Sequence, residues 1–239
     1  MLFSKDFFDL NLRFARRVAD VTGQSIQKSL LEYTHLYLAF GLGRDFDPEN
    51  PLWQDYMGQI VDSADQADGT YRFYLDRMAR QPKQQPDHSF GCFSYTLWEG
   101  NRVRLHFRNA KSERGVLQKD KTPERVAELR EMFEHLKGTV PITSTVLGGS
   151  WLYNIEAYRR LFPANYLDSA QGGHNECQFI SLWGQFLFYD GNVRPHVAEL
   201  LLERIEKQKT LEGLKSCFPF PVLRLQSSIE DFYAFYGIE

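Results

Sequence analysis

The chain has 239 residues, of which 43% are hydrophobic and 25% are charged, a composition typical of a globular protein with one large domain. A formal net charge of −3 argues against a globally basic nucleic-acid-binding protein. The three cysteines are too widely spaced for a disulfide framework. The first residues lack the pattern of a signal peptide, and the most apolar stretch, residues 30–42, is too short for a membrane span. These features predict a cytoplasmic protein with reduced thiols and no membrane segment.

The first eighty residues follow a helical pattern. Apolar residues recur at spacings of three and four, which predicts four helices, each with one buried face. Gly23 is expected to end the first helix and Ser25 to cap the second, which we expect to continue to Phe40. Asn50 followed by Pro51 is typical of a cap and the first residue of a helix.

The pattern changes after residues 81–87, which contain two prolines and no apolar residue and are predicted to be a connector. Strand-like segments then alternate with helices, and strands are expected at 90–98, 102–108, 140–147, 179–188 and 221–225. This order predicts an α+β fold in which a helical N-terminal part, residues 1–80, packs with a mixed, largely antiparallel sheet flanked by helices in residues 88–239. We expect both parts to form a single domain.

The strand predicted at 102–108 carries the most informative side chains. Alternation places Arg104, His106 and Arg108 on one face and apolar residues on the other. A three-residue loop at 99–101 keeps the two faces of the hairpin separate, whereas a two-residue loop would mix them. The preferred register pairs the three polar residues, in that order, with Thr96, Ser94 and Cys92.

This polar strand face has the chemistry of an anion site. The guanidinium groups of Arg104 and Arg108 can bind a carboxylate or phosphate in bidentate geometry. His106 can donate to the same anion or transfer a proton, and cationic neighbours favour the thiolate form of Cys92. A solvated sheet face is also rich in arginine. A solvated face, a ligand site and a partner surface therefore all stay open.

Charge is also concentrated in this region. Residues 102–121 contain seven lysines and arginines against two acidic residues. Such a patch can steer a phosphate-bearing partner, and it can equally be an exposed loop.

Gly148, Gly149 and Ser150 are predicted to form a tight turn between a strand and a helix, where backbone N–H groups can attract an anion. Ser150 or Asn154 is expected to cap the helix, and Trp151 can stack on a ligand or fill the core. The spacing matches neither a P-loop nor the nucleophile elbow of hydrolases. A turn with a serine cap is therefore the main alternative to a nucleophilic Ser150.

The remaining histidines and cysteines suggest no metal site. The His174-x-Glu176 pattern lacks the downstream Pro-Cys-x-x-Cys of zinc deaminases. No histidine pair has the spacing of metal ligands, so no metal is predicted and the cofactor stays unknown. Cys177 is expected to be a small buried residue, with a nucleophilic role left open. His35 is expected in the core.

Two hypotheses of function remain, and the sequence leaves open whether the protein is an enzyme. In the first, it acts on a small phosphate- or carboxylate-bearing substrate. The catalytic residues would be His106, Cys92 and Ser150, and the ligand would be bound by Arg104, Arg108, Gly148, Gly149, Trp151 and Asn154. In the second, a non-catalytic module binds a protein or a nucleic acid through residues 102–121, with the net charge arguing against nucleic acid.

Overall fold

The structure is a computed structural model that describes residues 2–61, 63–80, 88–109, 113–140, 144–172 and 177–239. The chain divides into two compact units. The first unit comprises Met1–Lys83 and Asn175–Phe220, and the second comprises Gln84–His174 and Pro221–Glu239. The single-domain prediction stays a prediction, and the predicted connector lies outside the described residues. No helix in the described ranges is long and apolar enough to cross a membrane.

The elements follow one another along the chain from helices to a mixed region. The first segment contains α1 (Lys5–Thr22), α2 (Ile26–Tyr33), α3 (Leu36–Ala39), α4 (Pro51–Val61) and α5 (Gln66–Arg80). The second unit begins with β1 (Ser89–Phe90), β2 (Phe93–Trp98), β3 (Arg102–Phe107), α6 (Thr122–Thr139), β4 (Thr145–Ser150), α7 (Glu156–Arg159), α8 (Ala164–Asp168) and β5 (Gln171–Gly172). The chain then adds α9 (Ile180–Trp183), α10 (Pro195–Ile205) and α11 (Leu211–Lys215) to the first unit, and β6 (Leu223–Ser228) and α12 (Ile229–Tyr236) to the second.

Three predicted caps in the first unit, at Gly23, Ser25 and Asn50, are confirmed. Gly23 has a positive φ of 72° and donates its N–H to the carbonyl of Ala19. The hydroxyl of Ser25 accepts from the N–H of Lys28, and the side chain of Asn50 accepts from the N–H of Leu52. Each cap satisfies a backbone group that the helix itself leaves unpaired.

The second predicted helix is shorter than expected because a side chain of α1 interrupts it. Thr34 is extended, with φ −131° and ψ 163°. The N–H of His35 donates to the side-chain oxygen of Asn11 at 2.9 Å instead of to a carbonyl one turn back. α2 therefore ends at Tyr33, and a separate short helix, α3, follows.

The strand predicted at 179–188 is wrong. Residues 180–183 form α9, and Gly184–Phe186 form a 3-10 turn. Trp183 is fully buried and makes edge-on ring contacts with Phe14 and Phe218. A short apolar run has the same composition in a buried helix and in a buried strand, and here tertiary packing decides for the helix.

In the described part of the chain, six strands form a mixed sheet in the order β1-β2-β3-β4-β6-β5, which confirms the α+β class. All neighbours are antiparallel except β3 and β4, which are parallel and are joined through α6. A parallel pair requires such a crossover connection. The predicted hairpin register is confirmed, with Arg104 opposite Thr96 and His106 opposite Ser94.

One face of this sheet, called the covered face below, carries the core of the second unit. Its strand residues are apolar and buried, and they pack against α6 and α12. The cluster includes Val103, Leu105, Val146, Leu225, Leu129, Phe133, Phe232 and Tyr236.

Candidate functional site

The opposite side of the sheet, called the open face below, is made of the alternate strand residues. Cross-strand pairing aligns them in rows: Ser94, Thr96 and Trp98 on β2; Arg102, Arg104 and His106 on β3; Thr145, Leu147 and Gly149 on β4; and Arg224, Gln226 and Ser228 on β6. These residues are half-buried or exposed.

The open face is cationic. Its strands contribute three arginines, Arg102, Arg104 and Arg224, and no strand residue described on this face is acidic. The helices that pack against the covered face carry more acidic than basic residues: α6 has four glutamates (Glu124, Glu128, Glu131 and Glu134) against Arg125, Arg130 and Lys137, and α12 has Glu230 and Asp231. The two sides of the sheet therefore differ in charge as well as in polarity.

Arg104 and Arg224 are both neighbours of Gly149, a residue without a side chain. A Cβ added to Gly149 would lie 3.3 Å from Nη2 of Arg104, so the guanidinium group extends along the surface above this glycine. Arg224 is the cross-strand partner of Gly149, and directly opposed residues have Cβ positions about 5 Å apart on the same face. Gly149, where the sheet surface carries no side chain, thus has both Arg104 and Arg224 as neighbours.

An exposed aromatic ring adjoins this pair of arginines. Trp98 is 43% exposed, and its ring centroid lies 5.5 Å from Cζ of Arg104. The face of an indole ring attracts a guanidinium group, and this interaction orients the arginine. One arginine side chain therefore contacts both Trp98 and the surface above Gly149.

Two other polar side chains of the open face form hydrogen bonds within the hairpin. Nε2 of His106 lies 2.9 Å from the hydroxyl of Thr96. Nε of Arg102 donates to the carbonyl of Glu99 at 2.7 Å, which ties the side chain to the hairpin loop. Asn101 in that loop has a positive φ of 56°, a conformation that asparagine tolerates better than most residues.

The predicted turn at Gly148–Ser150 is wrong, because these residues are the end of β4 and pair with Leu225, Arg224 and Leu223 of β6. A Cβ on Gly148 would overlap the hydroxyl groups of Tyr166 and Tyr153, which lie 2.8 Å apart on the covered face. Desolvation on burial raises the pKa of both tyrosines, so both stay neutral donors. Gly148 is therefore a packing position.

The residues after β4 have structural contacts. Ser150 accepts the N–H of Leu152 at 3.1 Å, which confirms the serine cap, here on a 3-10 turn spanning Trp151–Asn154. The side-chain amide of Asn154 donates to the carbonyls of Trp151 and Pro221. Trp151 is half-buried at the start of this turn. Ser150 and Asn154 thus hold the chain that leaves the sheet.

The predicted position of Cys92 on the polar face is also corrected. Cys92 follows Gly91 in a two-residue turn between β1 and β2, where Gly91 has a φ of 56°. The turn breaks the alternation of the strand, and the thiol is buried in the core, where it accepts from Nη1 of Arg125 at 2.6 Å. Glu128 accepts the N–H of Cys92 and pairs with Arg125. The carbonyl of Cys92 accepts the N–H of Arg108 at 2.8 Å.

The three predicted catalytic residues therefore do not meet. His106 lies on the open face, Cys92 lies in the core under the covered face, and Ser150 alternates with Gly149 toward the covered side. Arg108 lies just beyond β3, roughly 13 Å from Arg104 at about 3.3 Å per residue. Arg104 and Gly149 are the two predicted ligand residues that the fold brings together.

Sequence reasoning missed Arg224 and Trp98 as members of this surface. Arg224 lies between Leu223 and Leu225, and this alternation is the signal that could have placed it on a polar face. Trp98 continues the predicted row of Ser94 and Thr96 on the same strand. What the sequence could not show is that β6 lies beside β4.

Burial argues against catalytic roles for two other side chains. Desolvation on burial raises the pKa of Cys177 to about 12 and lowers that of His35 to about 4. Nδ1 of His35 lies 2.8 Å from the carbonyl of Gln178, so His35 is the core residue that the sequence predicted. The rest of the predicted His-x-Glu pattern, in residues 173–176, lies outside the described residues.

The first unit has a separate groove of about 720 Å³. Its floor is apolar, with Leu31, Phe46, Trp53 and Met57. At its rim Lys28 and Glu32 form an ion pair of 3.7 Å, so the groove presents balanced charge. The groove lacks the excess of cationic groups that distinguishes the open face.

The described ranges contain no group of three or more potential metal ligands. Comparison of the chain with family models, with curated proteins and with solved structures finds no match. The functional argument therefore depends on the geometry of the open face.

Proposed function

We propose that this protein binds an anionic ligand, carrying a phosphate or carboxylate group, on the open face of its sheet, and that this face binds without catalysis. Arg104 and Arg224 hold the anion above Gly149. The observation that supports this proposal is the placement of two arginines around a residue with no side chain.

The geometry suits an anion for two physical reasons. Guanidinium groups present paired N–H donors that match the oxygens of carboxylate and phosphate groups. Because Gly149 has no side chain, the guanidinium of Arg104 lies close over the sheet surface, and Arg224 is the cross-strand neighbour of the same glycine. Trp98 supports this arrangement because its ring lies against the guanidinium of Arg104.

Binding is favoured over catalysis because the open face carries one of the three side chains that a nucleophilic mechanism would require. The hydroxyl of Ser150 caps the following turn, and the thiol of Cys92 is in the core. His106 remains on the open face, where its Nε2 lies 2.9 Å from the hydroxyl of Thr96. The three predicted catalytic residues thus lie apart, whereas Arg104 and Arg224 are both neighbours of Gly149, which favours binding.

The test is calorimetric titration of the full chain with inorganic phosphate, pyrophosphate and citrate at low salt. The variant Arg104→Ala plus Arg224→Ala removes two charge-assisted interactions of about 1.5–3 kcal/mol each, so we expect its affinity to fall more than about 100-fold. The matched control, Arg130→Ala plus Lys137→Ala, removes two positive charges from α6 and should bind as the wild type does. Equal binding by the two double variants, or no binding to the wild type, would contradict the proposal.

A further inference from the structure

We infer that the ligand is a nucleoside phosphate, with its phosphate above Gly149 and its base stacked on Trp98. This inference rests on the proposed anion site and names the chemical class that the site recognises. It uses a second feature of the open face, the indole ring of Trp98, whose exposed part a simple inorganic anion or a small carboxylate would not cover.

Trp98 is unusual among the tryptophans of the chain in its exposure. Trp53 and Trp183 are buried, whereas Trp98 is 43% exposed at the end of β2. The cross-strand partner of Trp98 is Arg102, so the ring has cationic neighbours on the open face instead of an apolar core. An exposed aromatic ring in a cationic surface is the arrangement on which nucleobases stack, because every base has a flat π surface.

Arg104 connects the two subsites. Its Cζ lies 5.5 Å from the ring centroid of Trp98, and its Nη2 lies 3.3 Å from the position of a Cβ on Gly149. The guanidinium group of Arg104 thus lies between the ring of Trp98 and Gly149. The separation of these two residues is set by the size of that group and by its two contacts. The base and the 5′-phosphate of a single nucleotide are separated by one sugar, a span of similar size.

Charge complementarity favours a phosphate. A phosphate ester carries more negative charge than a single carboxylate, and its three oxygens can accept from two guanidinium groups at once. No described strand position on this face is acidic, so no carboxylate at these positions repels the phosphate. A free nucleotide and a nucleotide within a single strand share this chemistry.

The experiment compares adenosine 5′-monophosphate with ribose 5-phosphate, which has the same phosphate and no base. Titration of the wild-type chain should give an affinity at least about tenfold higher for the nucleotide, the size of effect that one base–aromatic stack produces. Trp98→Ala should remove this difference, because it should weaken binding of the nucleotide more than binding of ribose 5-phosphate, whose phosphate Arg104 and Arg224 still contact. Trp98→Phe, which keeps a stacking ring, should restore most of the difference.

The outcomes separate the inference from the proposed function. Two results would overturn the nucleoside assignment: ribose 5-phosphate binds as tightly as the nucleotide, or Trp98→Ala weakens the binding of both compounds equally. In either case the ring of Trp98 acts only on Arg104, and the proposed anion site is unaffected. If neither compound binds the wild type, both proposals fail. A short oligonucleotide that binds more tightly than the nucleotide would identify a single strand as the source of the nucleoside phosphate, and equal or weaker binding would identify the free nucleotide.

Discussion

The two faces of the second unit's sheet are built from alternate residues of the same strands, yet they have different chemistry. On the covered face, Val103, Leu105 and Val146 are buried against helices. On the open face, Arg104 and Arg224 lie in a cationic surface. Truncation of a side chain on the covered face leaves a cavity in the core, whereas truncation of one on the open face causes little loss of packing. We therefore expect substitutions on the covered face to change stability and those on the open face to change binding.

The sharpest form of this comparison is a pair of adjacent glycines. A Cβ on Gly148 would overlap two tyrosine hydroxyl groups held in the core, while a Cβ on Gly149 would meet only the end of the flexible Arg104 side chain. Gly148 thus allows close packing on the covered face, whereas Gly149 leaves the open face without a side chain beneath Arg104.

The largest expected effect comes from a buried arginine on the covered side. Arg125 is 1% exposed and pairs with Glu124 and Glu128 while donating to Cys92. Arg125→Ala leaves a carboxylate that is mostly buried, so we expect a loss of about 3 kcal/mol in the free energy of unfolding. Urea denaturation of the variant and of the wild type measures this loss.

The matched variant for this prediction is Arg104→Ala on the open face. It should change the unfolding free energy by less than about 0.5 kcal/mol, as surface substitutions usually do. Similar losses for the two arginine variants would show that the faces do not differ in the way described.

The glycine pair provides the second prediction. Gly148→Ala should lower the unfolding free energy by about 2 kcal/mol, because the tyrosine hydroxyls are packed in the core and must move. Gly149→Ala should cost less than about 1 kcal/mol, since the tip of Arg104 can shift. Thermal and urea unfolding of the two variants test this, and a larger cost at Gly149 than at Gly148 would reverse the assignment of faces.

Hydrogen bonds on the two faces provide the third and smallest prediction. Tyr166→Phe removes a buried bond to Tyr153 and should cost about 1 kcal/mol. Thr96→Ala removes the exposed contact with His106 and should cost less than about 0.5 kcal/mol, because water replaces it. Equal losses of unfolding free energy for the two variants in urea denaturation would contradict the expectation that the exposed hydrogen bond contributes less than the buried one.

The sequence was sufficient for features that depend on neighbouring residues. The caps at Ser25 and Asn50 require only a side chain within three positions of the N–H that it accepts. The hairpin register followed from the alternation of apolar and polar residues around a three-residue loop. These local rules also predicted the α+β class.

Other features depend on contacts between distant parts of the chain, and the sequence could not supply them. The two glycines of β4 were interpreted as a turn because their packing partners, Tyr153 and Tyr166 below and Arg104 above, come from other elements. Cys92 was placed on the wrong face because the alternation was extended across a turn. Arg224 was missed because β6 reaches β4 only in the folded chain.

The most direct test of the account is nuclear magnetic resonance of the arginine Nε–H groups and backbone amides during titration with inorganic phosphate. We expect the Nε–H signals of Arg104 and Arg224 and the amide of Gly149 to shift together with one dissociation constant, while the Nε–H of buried Arg125 stays in place. Shifts at Arg125 with none at Arg104 and Arg224, or no shifts at any of them, would contradict the claim that the open face is the binding surface of this protein.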